Sequence, residues 1–148
     1  MNAIVAEART WIGTPYVHQA AVKGVATDCL GMIRGLWRTR YGEDPQDVPA
    51  YSADWGEPQR DERLWQSARD HFDDVSDQPM QAGQVILFRM RDGWVAKHLG
   101  VLAEVGDAPT FIHAYAGHGV TESPLSAPWQ RRIVARFAFL PRQSTVKG

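Results

Sequence analysis

The chain has 148 residues, of which 44% are hydrophobic and 22% charged, so it is expected to fold as one domain over residues 1–148 with a sizeable core. Its 16 basic and 17 acidic side chains leave a formal net charge of −1 and form no long run of one sign, which argues against nucleic acid as a partner. The single cysteine excludes an internal disulfide, and without a CxxC or HExxH motif we expect no metal or other cofactor.

The first stretch, MNAIVAEARTWIGTPY, lacks a basic region followed by a continuous apolar one, and no apolar stretch approaches the length of a membrane span. We therefore expect synthesis in the cytoplasm without a signal peptide, and no membrane insertion. A helix is predicted over residues 2–12, ending at GTPY (13–16), because four apolar residues share one helical stripe: Ile4, Ala8, Trp11 and Ile12. The next segment, 17–27, shows no clear period and is predicted to be a loop.

The only cysteine lies at the start of the second predicted helix. Thr27 or Asp28 can serve as the N-cap, and the helix is expected to end near YGEDP at 41–45. Cys29 would then lie in the first turn, where free N–H groups and the helix dipole can lower the pKa of a thiol. Burial is the alternative, because a free cysteine commonly packs as a small hydrophobe. Composition favours burial, and both interpretations stay open at this point.

Gly31 and Gly35 lie four residues apart on one face of this helix. Two glycines at that spacing allow another segment to approach the backbone closely, and we interpret them as clearance for a sheet. The following residues, 43–60, are predicted to form a surface loop with Tyr51 and Trp55 as aromatic anchors. A short helix is predicted at about 60–71, with an inner side formed by Leu64, Trp65, Ala68 and Phe72.

After a turn at 76–83 the hydrophobic period changes to two. This alternation predicts four strands, at 84–90, 97–105, 110–116 and 132–140. Helices therefore come first and an antiparallel sheet second, which predicts the α+β class. The last residues, about 141–148, are expected to form a flexible tail.

Two of the five histidines lie within predicted strands. A turn at about 106–107 would place His113 opposite Gly100, so that His113 is a diagonal neighbour of His98 on one face. Gly100 would leave room for both rings. Such a pair could be satisfied by backbone or water, or it could serve catalysis. By contrast, His71 is predicted to be a solvated surface residue and His118 to lie in a turn.

A cysteine at a helix start and two histidines on a sheet match the requirements of a thiol nucleophile. Cys29 would attack an amide carbonyl while His98 takes up and later returns the proton. His113 would hold the His98 ring in the right tautomer. The Cys29 backbone N–H and a neighbouring side chain could stabilise the oxyanion.

In this order and spacing, the motifs resemble those of the NlpC/P60 cysteine peptidases, papain-like enzymes that cut bacterial cell-wall peptides. The family pattern is a Pro-Tyr segment, an Asp-Cys-Ser-Gly turn, a GDLVFF-like strand, HVGIY and IHA. The matching segments lie between about Trp11 and Val120 and read GTPYVHQA, TDCLGMI, GQVILFRM, KHLGVL and FIHAYAGHGV. More narrowly, the sequence is similar to the short stand-alone version encoded in phage tail modules and gene transfer agents.

The resemblance implies a papain-like fold in which N-terminal helices pack on an antiparallel sheet. It implies Cys29 as nucleophile, His98 as base and His113 as orienting residue. Tyr16 matches a tyrosine that assists the oxyanion, and Asp28 matches an acid that in some members contacts the free amine of the stem peptide.

The substrate implied is a peptidoglycan stem peptide, cut at the γ-D-glutamyl–diaminopimelate bond or a near neighbour. The narrower likeness implies other tail or baseplate proteins as partners. It also implies a virion-carried enzyme that acts in the periplasm of the target cell.

The sequence departs from the family pattern at two places: Leu30 replaces the serine after the cysteine, and VHQA at 17–20 replaces the more common WGG. Both departures are expected to reshape the substrate cleft. Two alternatives remain at this stage. The same triad could transfer or remove acyl groups elsewhere, or the chain could be a structural tail or baseplate assembly protein with an inactive or occluded site.

Overall fold

A computed structural model describes residues 2–48, 51 and 61–141. In this described part the elements follow in the order α1 (Ala3–Arg9), β1 (Ala21–Val22), β2 (Ala26–Thr27), α2 (Cys29–Tyr41), α3 (Arg63–His71), β3 (Asp73–Asp74), β4 (Val85–Arg89), β5 (Ala96–Glu104), β6 (Thr110–Tyr115), β7 (Gly119–Pro124), α4 (Ala127–Gln130) and β8 (Ile133–Ala138).

A six-stranded antiparallel sheet of order β3-β8-β4-β5-β6-β7 forms the centre of the fold. Alternate residues of its strands enter two apolar cores. One core joins the sheet to α1, α2 and α3, and the other lies on the opposite face beneath Trp129 of α4. Helices followed by an antiparallel sheet confirm the predicted α+β class.

The first helix is shorter than predicted. It begins after Asn2, whose side chain accepts hydrogen bonds from two backbone N–H groups, and it ends at Arg9. Trp11 is buried as expected, but Ile12 is 45% exposed, so its assignment to the inner stripe is wrong. The chain forms turns after Arg9, and helical spacing therefore no longer determines where Ile12 points.

Both ends of α2 follow from local sequence. Asp28 is the N-cap and accepts a hydrogen bond from Gly31 N, while Gly42 ends the helix in the left-handed conformation at φ 87°. Gly31 and Gly35 do allow close approach, but not by the sheet. A Cβ at Gly31 would lie 1.9 Å from the Ala20 carbonyl oxygen, and one at Gly35 would lie 2.1 Å from a ring carbon of Trp11.

Several elements lie where the sequence predicted loops or nothing regular. Segment 17–27 contains the β1–β2 hairpin, and β3, β7 and α4 were not predicted. Most of β7 is polar and half-exposed, and it forms by pairing with β6, from Thr110–Pro124 to Tyr115–Gly119.

The inner side predicted for α3 is present, with Leu64 and Ala68 buried and Trp65 and Phe72 partly buried against the core. Trp55 and residues 142–148 lie outside the described residues. Within the described ranges, no helix combines the length and apolarity needed to cross a membrane.

Candidate active site

Cys29 is the first residue of α2, and its side chain faces the start of β5. Its Sγ lies 3.8 Å from the Lys97 carbonyl oxygen. The side chain is buried, with 7% exposure, yet it borders an open cavity. Burial and accessibility, which the sequence left as alternatives, therefore apply to the same thiol.

The cavity has a volume of about 210 Å³ and lies between the start of α2 and the neighbouring ends of β5 and β6. Four residues singled out from the sequence line it together: Tyr16, Asp28, Cys29 and His98. The other lining residues are His18, Tyr51, Met90, Lys97, Ala114, Tyr115 and Ala116. The fold thus brings a thiol and an imidazole from distant parts of the chain to one cavity.

His113 lies behind His98, at hydrogen-bond distance. His98 Nε2 is 2.8 Å from His113 Nδ1. Val101 pairs with Ile112 and Leu102 with Phe111, a register that makes the two histidines diagonal neighbours on one face and confirms that prediction. Gly100 provides the clearance, because a Cβ there would lie 2.8 Å from a Phe111 ring carbon and 3.4 Å from His113 Cβ.

An aromatic shell surrounds the two imidazoles. The Trp129 ring centroid lies 5.7 Å from that of His98 and 5.3 Å from that of His113. Phe111 packs on His113 at 4.1 Å, and Phe88 lies 5.7 Å from His98. Burial in this shell lowers the pKa of His98 to about 3 and, with the neighbouring His118, that of His113 to about 4. Both rings are therefore neutral at neutral pH.

The thiol is also neutral in the resting structure. Burial, and secondly the Asp28 carboxylate, raise the pKa of Cys29 to about 12. Of the two alternatives that the sequence left open, the pKa thus follows burial, because desolvation and the charge of Asp28 outweigh the helix dipole. The cavity is therefore lined by a neutral thiol and a neutral imidazole.

Asp28 organises the wall of the cavity. Its Oδ1 accepts a hydrogen bond from Gly31 N at 2.6 Å, and its Oδ2 accepts from Gln19 N at 2.7 Å and from Tyr51 Oη at 2.6 Å. His18 Nδ1 lies 3.7 Å from the same Oδ2. This carboxylate therefore holds the VHQA segment and Tyr51 in place around the thiol, as well as capping α2.

Tyr16 is fixed beside the thiol by backbone hydrogen bonds on both sides. Thr27 N donates to Pro15 O at 2.9 Å, and Val17 N donates to Thr27 O at 3.1 Å. Burial, followed by the proximity of Cys29 and Asp28, raises the pKa of Tyr16 to about 12. Its hydroxyl therefore keeps its proton at neutral pH and can donate a hydrogen bond.

Leu30 points away from this cavity, although the sequence led us to expect it in the substrate cleft. It is 8% exposed and lines a second cavity, of about 30 Å³, between α2 and α3. Ile33, Trp37, Leu64 and Leu99 are among its other walls. Successive helical residues are rotated by about 100°, which directs Cys29 and Leu30 to different neighbours.

His71 is not the solvated surface residue that was predicted. Its ring is partly buried 5.5 Å from that of Trp37, with Nδ1 2.7 Å from Ser67 O. His118 lies in a turn, as predicted, with its ring stacked on Tyr115. Within the described ranges, no group of three or more His, Cys, Asp or Glu side chains is placed to ligate a metal ion.

The sequence profile of the NlpC/P60 family matches residues 13–137. The chain belongs to the NlpC/P60 family. None of the curated proteins compared with it is a significant match.

Several solved structures share the NlpC/P60 fold with this chain. An NLP/P60-family protein described as similar to lipoprotein, from Staphylococcus aureus subsp. aureus Mu50, is 23% identical with a TM-score of 0.63 over 94% of this chain and 41% of that one. An NlpC/P60-family protein from Bacillus cereus ATCC 10987 is 20% identical with a TM-score of 0.64 over 93% and 39%. Ly7917, solved with the hydrolyzing product of MDP, is 15% identical with a TM-score of 0.55 over 92% and 61%. This chain therefore spans about two-fifths to three-fifths of the length of these neighbours.

Sequence reasoning missed Trp129 and Ser123, which contact the histidine pair. Trp129 packs on both imidazoles, and Ser123 Oγ lies 3.0 Å from His113 Nε2. Neither position carries a sequence signal, because β7 and α4 are too short and polar to be recognised from periodicity.

Proposed function

We propose that the protein is a cysteine peptidase that hydrolyses peptide bonds in the stem peptides of bacterial peptidoglycan. The observation that carries this proposal is the thiol of Cys29 and the imidazole of His98 in one cavity, with His98 hydrogen-bonded to His113. Membership of the NlpC/P60 family and the structural likeness to Ly7917, which was solved with a product of MDP, support the substrate class.

The first chemical step forms a tetrahedral intermediate. Cys29 Sγ attacks the carbonyl carbon of the scissile amide, and its proton passes to Nδ1 of His98, the ring nitrogen that does not face His113. The negative charge develops on the carbonyl oxygen. Two donors can stabilise it, the Cys29 N–H, which as the first N–H of a helix has no intrahelical acceptor, and the neutral Tyr16 hydroxyl.

Breakdown of this intermediate gives the thioester, and hydrolysis of the thioester then regenerates the thiol. The His98 imidazolium protonates the leaving amine, and the C–N bond breaks. His98 then accepts a proton from water as the water oxygen attacks the thioester carbonyl. Collapse of that intermediate releases a carboxylic acid, and the thiolate takes the proton back from His98.

For the biological setting, we propose a protein of the phage-tail or gene-transfer-agent type that opens the cell wall during DNA delivery. The motif likeness described above supports this role, with action in the periplasm of the target cell. The protein should then co-purify with tail particles. A protein that never joins particles would contradict this part of the proposal.

The enzymatic claim is tested by digesting purified peptidoglycan with wild type and Cys29→Ala and identifying the fragments by mass spectrometry. We expect new amino and carboxyl termini within the stem peptides from wild type, and none from the variant at equal protein concentration. Circular dichroism confirms that both proteins are folded. A folded wild type that releases no Cys29-dependent fragments would overturn the enzyme proposal and favour an assembly protein with an inactive or occluded site.

A further inference from the structure

The polar chain that begins at His98 continues beyond His113 to β7. His98 Nε2 lies 2.8 Å from His113 Nδ1, and His113 Nε2 lies 3.0 Å from Ser123 Oγ. The three ring nitrogens between Nδ1 of His98 and the serine hydroxyl, which are His98 Nε2, His113 Nδ1 and His113 Nε2, therefore each have a neighbour at hydrogen-bond distance.

Packing prevents the His113 ring from flipping, so its two nitrogens keep the same neighbours. His113 is 1% exposed and packed between Phe111, at 4.1 Å between ring centroids, and Trp129, at 5.3 Å. A ring flip would break both hydrogen bonds in this close-packed shell. The identity of the nitrogen that faces Ser123 is thus fixed by packing.

The number of protons on each ring limits which atom donates in each of these hydrogen bonds. A neutral imidazole carries one N–H, so one of its nitrogens donates and the other accepts. With both rings neutral, the chain has two self-consistent arrangements. In one, His98 donates to His113 and His113 donates to Ser123. In the other, Ser123 donates to His113 and His113 donates to His98, which leaves a proton on Nδ1 of His98.

We propose that Ser123 is a positioning residue that accepts the Nε2–H of His113 and thereby keeps Nδ1 of His98 unprotonated, so that it can accept the proton of Cys29. This inference rests on the proposed function, because only the first arrangement allows His98 to accept a proton from Cys29. Ser123 is half-exposed on β7, at the edge of the sheet, so its own hydroxyl proton can be donated to solvent. It acts only through His113, since it is not among the described residues that line the cavity.

Tautomers can be observed without any activity measurement. Long-range ¹H–¹⁵N correlation spectra of protein labelled at histidine distinguish protonated from unprotonated ring nitrogens. We expect His98 and His113 in wild type both to carry the proton on Nε2. In Ser123→Ala the acceptor is lost, and a population of His113 protonated on Nδ1 should appear. Ser123→Thr, which retains a hydroxyl, should restore the wild-type pattern.

Kinetics provide the second measurement. Loss of the hydrogen bond between Ser123 and His113 should lower kcat about tenfold in Ser123→Ala, with KM unchanged. Ser123→Thr should recover most of the lost kcat. Thr121 offers a matched control, because it lies on β7, as Ser123 does, and pairs directly with His113 of β6. Thr121→Val should leave both the spectra and kcat within about twofold of wild type.

The proposal is overturned if His113 in wild type carries its proton on Nδ1, or if Ser123→Ala changes neither the spectra nor kcat. It is equally overturned if the tautomers change while kcat does not, or if Thr121→Val causes the same loss. A wild type that cleaves no peptidoglycan would overturn the proposed function instead. The spectra would still show which ring nitrogens of His98 and His113 carry the protons.

Discussion

Two cavities flank the first turn of α2, and they differ in volume and in the polar side chains of their walls. Cys29 borders a cavity of about 210 Å³ whose walls include two histidines, an aspartate and three tyrosines. The adjacent residue, Leu30, borders a cavity of about 30 Å³ walled mainly by apolar side chains of α2 and α3. One step along the helix therefore separates a reactive surface from a packing surface.

The difference shows how one helix start can serve two purposes. Asp28 caps the helix and holds the wall on the reactive side, while the apolar residues that follow anchor the same turn to α3. Burial of Leu30 anchors the backbone turn that carries the thiol. Changes on the reactive side should therefore alter rate, and changes on the packing side should alter stability.

The largest effect is expected for the base. His98→Gln preserves a polar side chain of similar size but cannot accept and return a proton, so kcat should fall by a factor of about 10² to 10⁴. Stem-peptide cleavage by wild type and variant, followed by liquid chromatography, measures the ratio. A His98→Gln protein with more than a tenth of the wild-type kcat would contradict the role of His98.

Asp28→Asn should affect both stability and the thiol. An amide nitrogen in place of Oδ2 would meet the N–H of Gln19, so this part-buried donor loses its acceptor. We expect the free energy of unfolding to fall by about 1–3 kcal/mol in urea titrations.

The same substitution removes the negative charge that helps to raise the pKa of Cys29. The pKa of the thiol should therefore fall, and alkylation by iodoacetamide at neutral pH should become faster in the folded variant. An unchanged or slower alkylation rate would show that the charge of Asp28 does not act on the sulfur.

Leu30→Ala tests the packing side. Truncation of this buried leucine should lower the free energy of unfolding by about 2–5 kcal/mol, because it enlarges the cavity between α2 and α3. Its kcat should stay within about twofold of wild type when assayed well below the melting temperature. A large loss of kcat without loss of stability would place Leu30 in the substrate cleft after all.

The smallest expected effect is that of pH on rate. With the pKa of Cys29 at about 12 and those of His98 and His113 at about 3 and 4, none of the three titrates near neutrality. The logarithm of kcat should therefore be flat between about pH 5 and pH 9. An acid limb near the ordinary pKa of histidine, about 6.5, would contradict a neutral buried pair.

The histidine pair also links pH to stability. Because burial lowers the pKa of His98 and His113, the unfolded chain binds more protons than the folded one below about pH 6.5. Their contribution to stability is present above that pH and is lost as pH falls toward their folded values. The melting temperature should therefore decrease between about pH 7 and pH 4, measured by calorimetry at constant ionic strength.

The parts of the molecule that follow local rules could be predicted from the sequence. The Asp28 cap and the Gly42 end of α2 depend on one residue each, and the diagonal placement of His98 and His113 depends on strand period and one turn. These features require no knowledge of what packs against them.

The remaining features depend on tertiary neighbours. Gly31 and Gly35 signalled a close approach, but only the fold shows that Ala20 and Trp11 make it. The direction in which Leu30 points required the position of α3. The thiol pKa could not be inferred from the helix start alone, because it depends on burial and on the charge of Asp28.

The central claim, that chemistry takes place at Cys29, is tested most directly by trapping its thioester. Wild type mixed with a stem peptide and quenched in acid should gain the mass of the acyl fragment, and peptide mapping should locate the added mass on Cys29. The His98→Gln variant should accumulate little adduct. Cleavage that proceeds with no adduct on Cys29, or that persists in Cys29→Ala, would contradict the account.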